Sequence, residues 1–79
     1  MPAQRDATLN ARQWLEAFAV RLGTEPPTTE QFKQLLDLAG EAAHASERVA
    51  APVACWLAAR AGAEPDQALR LAREVGGDG

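Results

Sequence analysis

Four stretches of the chain carry apolar residues at helical spacing, and short runs of Gly, Pro and polar residues separate them. In the first, Ala11, Trp14, Leu15, Phe18 and Leu22 recur every three or four positions, which places them along one side of a helix. Asn10 can cap that helix and Gln13, three residues on, completes a capping box; Leu9 and Trp14 are spaced for a hydrophobic staple across the same end. Arg12, Gln13 and Glu16 fall on the water side, and Gly23 suits the left-handed turn that closes helices. The pattern predicts a helix over 10–22.

Thr24-Glu25-Pro26-Pro27 follows as a stiff connector, because each proline restricts itself and the residue before it. Thr28 with Gln31 repeats the capping box, and Phe32, Leu35, Leu36, Ala39 and Ala43, widened by Leu38 and Ala42, predict a helix over 28–45. Gly40 lies at the edge of that stripe. A glycine there costs about 1 kcal/mol of helix propensity, so close packing is its expected reason.

The third stretch, AAPVACWLAARAG from Ala50 to Gly62, predicts a helix over 51–61, with Pro52 suited to the first helical position. Arg60 is its one charged residue; Val53, Trp56 and Leu57 share a face, and Ala54, Cys55, Ala58 and Ala59 cover the rest. A helix apolar nearly all round is normally buried. This one is therefore expected at the centre of a compact all-α, four-helix domain, with Trp56 in the core. Truncating Trp56 to Ala would then cost roughly 3–5 kcal/mol. A turn at Gly62-Ala63-Glu64 leads to a last helix over 65–75, opened by Pro65 and Asp66. Its Ala68, Leu69, Leu71, Ala72 and Val75 face inward, and Gly76-Gly77 ends it.

The expected core is Trp14, Leu15, Phe18 and Leu22 from the first helix, with Phe32, Leu35 and Leu36 from the second. Val53, Trp56 and Leu57 come from the third, and Leu69 and Ala72 from the fourth. Residues 1–8 are expected to be a disordered lead, 9–75 a single domain and 76–79 a flexible tail.

Composition narrows the function classes. At 79 residues there is room for one small domain, and the net charge of −3 gives no basic stripe for a phosphate backbone. The chain holds a single cysteine, so no internal disulfide forms, and the opening MPAQRDATLN has no apolar core of a signal peptide. No run approaches the roughly 20 apolar residues of a membrane span. A cytoplasmic protein without a membrane partner is the expectation.

Little of the sequence carries chemistry. His44 lies on a ridge with Asp37 and Glu41, away from the apolar stripe, and Arg48 joins it if the helix continues. That ridge reads as a solvated charged face, in which Arg48 pairs with Glu41 or Asp37, or as an interaction patch for a partner. Glu41-Ala42-Ala43-His44 also has the spacing of a di-iron carboxylate unit. Such sites need two units pointing inward; here one points outward, and only a metal-binding homodimer would complete it. Cys55 among alanines reads as a small apolar side chain, and a Cys55–His44 nucleophile pair lacks an orienting third group. No phosphate-binding glycine loop or Cys/His zinc cluster occurs. The last two helices with their glycine turn outline a helix-turn-helix, with Gln67, Arg70 and Arg73 facing a groove, but Asp66 and Glu74 share that face.

NARQWLEAFA at 10–19, LLDLAGEAAHASERVAAPVACWLAARAG at 35–62 and PDQALRLARE at 65–74 resemble a small helical domain of unknown function from high-GC bacteria. The resemblance spans about residues 9–75. It implies an accessory module found alone or after a nucleotidyltransferase of the molybdopterin-guanine-dinucleotide type, whose own motifs are absent here. The resulting expectation is a non-enzymatic accessory or protein-interaction domain, with no cofactor and with molybdenum-cofactor biosynthesis as its setting. Its partner would be another protein or a second copy of the chain, and a helix-turn-helix DNA-binding domain is the alternative.

Overall fold

The computed structural model describes residues 9–77. Among them the chain forms four helices and no strand: α1 (Ala11–Leu22), α2 (Thr29–Ala45), α3 (Ala50–Ala61) and α4 (Pro65–Gly77). The all-α, four-helix expectation holds. The expected disordered lead lies outside the described residues, as does the end of the expected tail at 78–79. Gly76 and Gly77 continue α4 instead of stopping it.

The termini form as the residues dictate. The Asn10 side chain accepts from the Gln13 backbone N–H at 2.8 Å, and the Asn10 N–H donates to Gln13 Oε1 at 3.0 Å. Thr28 and Gln31 make the same reciprocal pair at 3.0 and 2.9 Å. Each box satisfies donors that the first turn cannot pair internally. Gly23 (φ 80°) and Gly62 (φ 76°) end α1 and α3 in the left-handed region. In both, the next residue reaches back to close the helix: Thr24 N–H donates to Ala19 O, and Ala63 N–H to Ala58 O. α3 begins at Ala50, so Pro52 is its third residue rather than its first. Its missing N–H belongs to a turn whose donors have no intrahelical partner, and the helix tolerates it there.

The centre of the molecule is α2, not α3. α2 packs against both α3 and α4, whereas α3 and α4 each lean chiefly on α2. Leu38 is 3% exposed and forms the core with Ala68 and Leu69, flanked by Leu35, Cys55, Ala58, Ala63 and Ala72. Helical residues advance about 100° each, so Leu36 and Leu38 point some 200° apart and cannot share one core. Leu38 took the inside; Leu36 is left 61% exposed.

The same choice of face corrects the expectation for α3. It turns Cys55 and Ala58 toward α2, while Val53, Trp56 and Leu57 are more than half exposed. Small side chains on the inner face bring the two helix backbones close, and the large ones are carried outward. Of the expected core, Leu69 is buried, and Leu15, Phe32, Leu35 and Ala72 are half-buried. Trp14, Phe18, Leu22, Leu36, Val53, Trp56 and Leu57 are exposed, as are Leu71 and Val75, which were expected to face inward. Gly40 also departs from expectation: a Cβ built on it meets nothing within 4 Å, so close packing does not explain it.

Candidate interaction surface

α1 touches the other helices sparingly. Its junction with α2 is built by Arg12, whose guanidinium lies 5.1 Å above the Phe32 ring and donates to Thr29 Oγ1 at 3.1 Å. Leu15 and Glu16 close the junction against Pro26, Pro27 and Phe32. The side of α1 that meets the protein is thus the Arg12–Leu15–Glu16 side, with Ala19 buried one turn on. Trp14 and Phe18 face away from it. Their rings pair at 5.0 Å between centroids and 35° between planes, yet they remain 53% and 45% exposed. An aromatic pair of this size usually supplies core or interface area; within this chain it supplies little of either.

A second apolar surface lies between α3 and α4. Leu57 on α3 and Leu71 and Val75 on α4 wall an open groove of about 280 Å³, floored by Ala58, Ala68 and Ala72. The alanine floor makes it a trough rather than a bump, because no long side chain fills the space between the helices. Trp56 stands on a different side of α3, with the Arg60 guanidinium 5.2 Å over its ring.

The polar ridge is only partly assembled. Glu41 turns to α4, where its Oε2 lies 3.8 Å from Arg73 Nε, the one ion pair among the described residues. The expected pairing of Arg48 with Glu41 or Asp37 is therefore replaced. The reason is local: α2 ends at Ala45 and Ser46 takes φ −140°, ψ −98°, so the chain leaves the helix before Arg48. Ser46 Oγ donates to Ala42 O at 2.8 Å and seals that end. Asp37, His44 and Arg48 are exposed. The Glu41–Arg73 pair is itself substantially exposed and contributes little stability.

Cys55 is half-buried against the core, and burial pushes its thiol above the ordinary value. That shift lowers thiolate content and reactivity. Among the described residues no three His, Cys, Asp or Glu side chains gather as a metal site would require. Gln67, Arg70 and Arg73 are all exposed on α4, with Arg73 directed to Glu41. No helix among the described residues is long and apolar enough to cross a membrane.

Both apolar surfaces fall inside a single domain: residues 6–77 match the domain of unknown function DUF6457. The chain belongs to this family. No curated protein and no solved structure shows a significant match to it. The DUF6457 match runs from before α1 to the last residue of α4, so α1 is part of the domain and not an appendage to it.

Periodicity along the chain identifies the apolar residues but not the direction in which each face is buried. One signal lies in the small residues: Ala51, Ala54, Cys55 and Ala58 recur at helical spacing and, with Ala50, are the half-buried residues of α3. A stripe of small residues is as good a packing face as a stripe of large ones, where the neighbour supplies the bulk.

Proposed function

We propose that this DUF6457 chain is a non-enzymatic protein-interaction module. The observation that carries the proposal is the pair of uncovered apolar surfaces: the Trp14–Phe18 face of α1, and the trough walled by Leu57, Leu71 and Val75. Contiguous exposed apolar area on a small domain marks an interaction site. The chemistry-bearing side chains, by contrast, are dispersed: His44 is exposed on α2, and Cys55 is half-buried with its pKa raised.

The resemblance in sequence names a first partner to test, a nucleotidyltransferase of the molybdopterin-guanine-dinucleotide type from a high-GC bacterium, with this domain as an accessory to it. Titrating such a purified enzyme with the chain in a calorimeter should give saturable binding that Phe18→Glu or Leu71→Glu weakens. Binding unaffected by either change would place the contact elsewhere, and absence of binding would remove that enzyme as partner. Nucleic-acid binding through Gln67, Arg70 and Arg73 has less support, since Arg73 is already turned to Glu41 and the chain is acidic.

A further inference from the structure

We propose that the occupant of the α3–α4 trough is α1 of a second copy of this chain, exchanged reciprocally in a two-fold dimer. The inference rests on the interaction-module reading and names its partner. The two uncovered surfaces have opposite shapes. Trp14 and Phe18, one turn apart, form a raised aromatic edge, and an alanine floor makes the trough hollow. Insertion of a helix by residues one and two turns apart is a common mode of recognition.

Among the described residues, one chain does not cover both surfaces by itself. Arg12, Leu15 and the Pro26-Pro27 connector hold α1 at the start of α2, with Trp14 and Phe18 turned away from that contact. Residues 1–8 offer only Met1 as a large apolar side chain, too little to cover either surface. A two-fold axis satisfies both at once, because each copy gives its α1 and receives the other's.

The areas are of the right size. With Trp14 53%, Phe18 45%, Leu22 62%, Leu57 55%, Leu71 48% and Val75 87% exposed, roughly 600 Å² of apolar side chain per chain is open at the two surfaces, before rim and backbone atoms are added. A standard stable interface buries about 800 Å² per partner.

The test is sedimentation of the full chain from micromolar to millimolar concentration, with Phe18→Glu and Leu71→Glu as variants. The parent should approach twice the 8.4 kDa chain mass. Each variant should weaken self-association by about 100-fold or more, since it would bury an unpaired carboxylate. Circular dichroism should show both variants still helical, because both positions are exposed in the single chain. Mixing the two variants provides the sharper readout. Phe18→Glu keeps an intact trough and Leu71→Glu an intact aromatic edge, so the mixture recovers one good contact. It should dimerise more tightly than either variant alone.

A parent that stays monomeric to millimolar concentration overturns the inference, as does a dimer that neither variant weakens or a mixture that shows no recovery. None of those results touches the interaction-module reading, which falls only if the nucleotidyltransferase and self-association tests both show no binding. Should a variant lose its helical signal, Phe18→Ser and Leu71→Ser take its place in the same mixing experiment.

Discussion

α1 and α2 begin in the same way and end up in opposite situations. Each opens on a capping residue and a glutamine three positions later, with both reciprocal hydrogen bonds formed. Each carries a clear apolar stripe. Yet α2 buries Leu38 to 3% exposure and supports two other helices, while α1 leaves Trp14 and Phe18 about half in water. The difference teaches that capping and periodicity decide whether a helix exists. Which side of it is buried depends on the helices that happen to lie beside it. α2 has neighbours on two sides; α1 has a short junction at Arg12 and Phe32.

The largest expected effect separates the two helices directly. Leu38→Ala should cost about 3–4 kcal/mol, the ordinary range for a buried leucine whose site cannot collapse. In a domain of this size that consumes much of the total stability. Phe18→Ala, measured by urea unfolding at a concentration where the chain is dilute, should cost under about 1 kcal/mol, because little of its area is removed from water within one chain. Trp56→Ala should behave like Phe18→Ala, in place of the roughly 3–5 kcal/mol expected of a buried tryptophan. Equal costs at Leu38 and Phe18 would mean that α1 is as firmly packed as α2.

How far the sequence was legible follows from the same contrast. Asn10, Thr28, Gly23 and Gly62 carry local physics, and each sits where its own backbone preference puts it. Leu36, Trp56 and Val75 carry no local information about direction. An apolar side chain is equally content against a neighbouring helix of its own chain or against another protein, and hydrophobicity by itself cannot tell the two apart. Periodicity alone for that reason assigns the candidate surface to the core. The partner of Glu41 is hidden for a related reason: Arg48 is nearby in sequence, but α4 brings Arg73 to it in space.

The caps give a finer test of the comparison. Thr28→Ala and Asn10→Ala each remove one side-chain acceptor at a helix start, at a cost of about 1 kcal/mol. The Thr28 change should lower the midpoint of global unfolding, since α2 is the helix the others rest on. The Asn10 change should appear mainly as faster amide exchange within α1, with the global midpoint moving less. If both midpoints fall equally, α1 unfolds together with the core.

Gly40 sharpens the picture of α2 itself. Open space surrounds the position where its Cβ would stand, and the residue is within a helix. Gly40→Ala should therefore raise stability by about 0.8–1 kcal/mol through helix propensity alone. The same change at Gly62 should lower stability, because φ there is 76° and an L side chain is strained in that region. A loss at Gly40 would show that another surface rests on α2 at that position.

The smallest effect concerns Cys55, on the inner face of α3. Burial raises its pKa above the ordinary 9.0, so the folded chain favours the neutral thiol more than the unfolded chain does. The linkage has a definite sign. Below the unfolded pKa both states hold the proton, and the contribution is fully present. As pH rises through 9.0 toward the raised value, the unfolded chain loses its proton first and stability falls. Urea midpoints measured across that interval should decline in the parent beyond any decline shared with Cys55→Ala, which has no thiol to ionise. Thiol labelling reads the same property from the other side. At a fixed pH near neutrality, Cys55 should react more slowly in the folded chain than in denaturant, and the ratio should shrink as pH passes the folded value. Equal rates, with parallel midpoint curves for the parent and Cys55→Ala, would mean that the inner face of α3 is as open to water as its outer face, and the distinction between them would be lost.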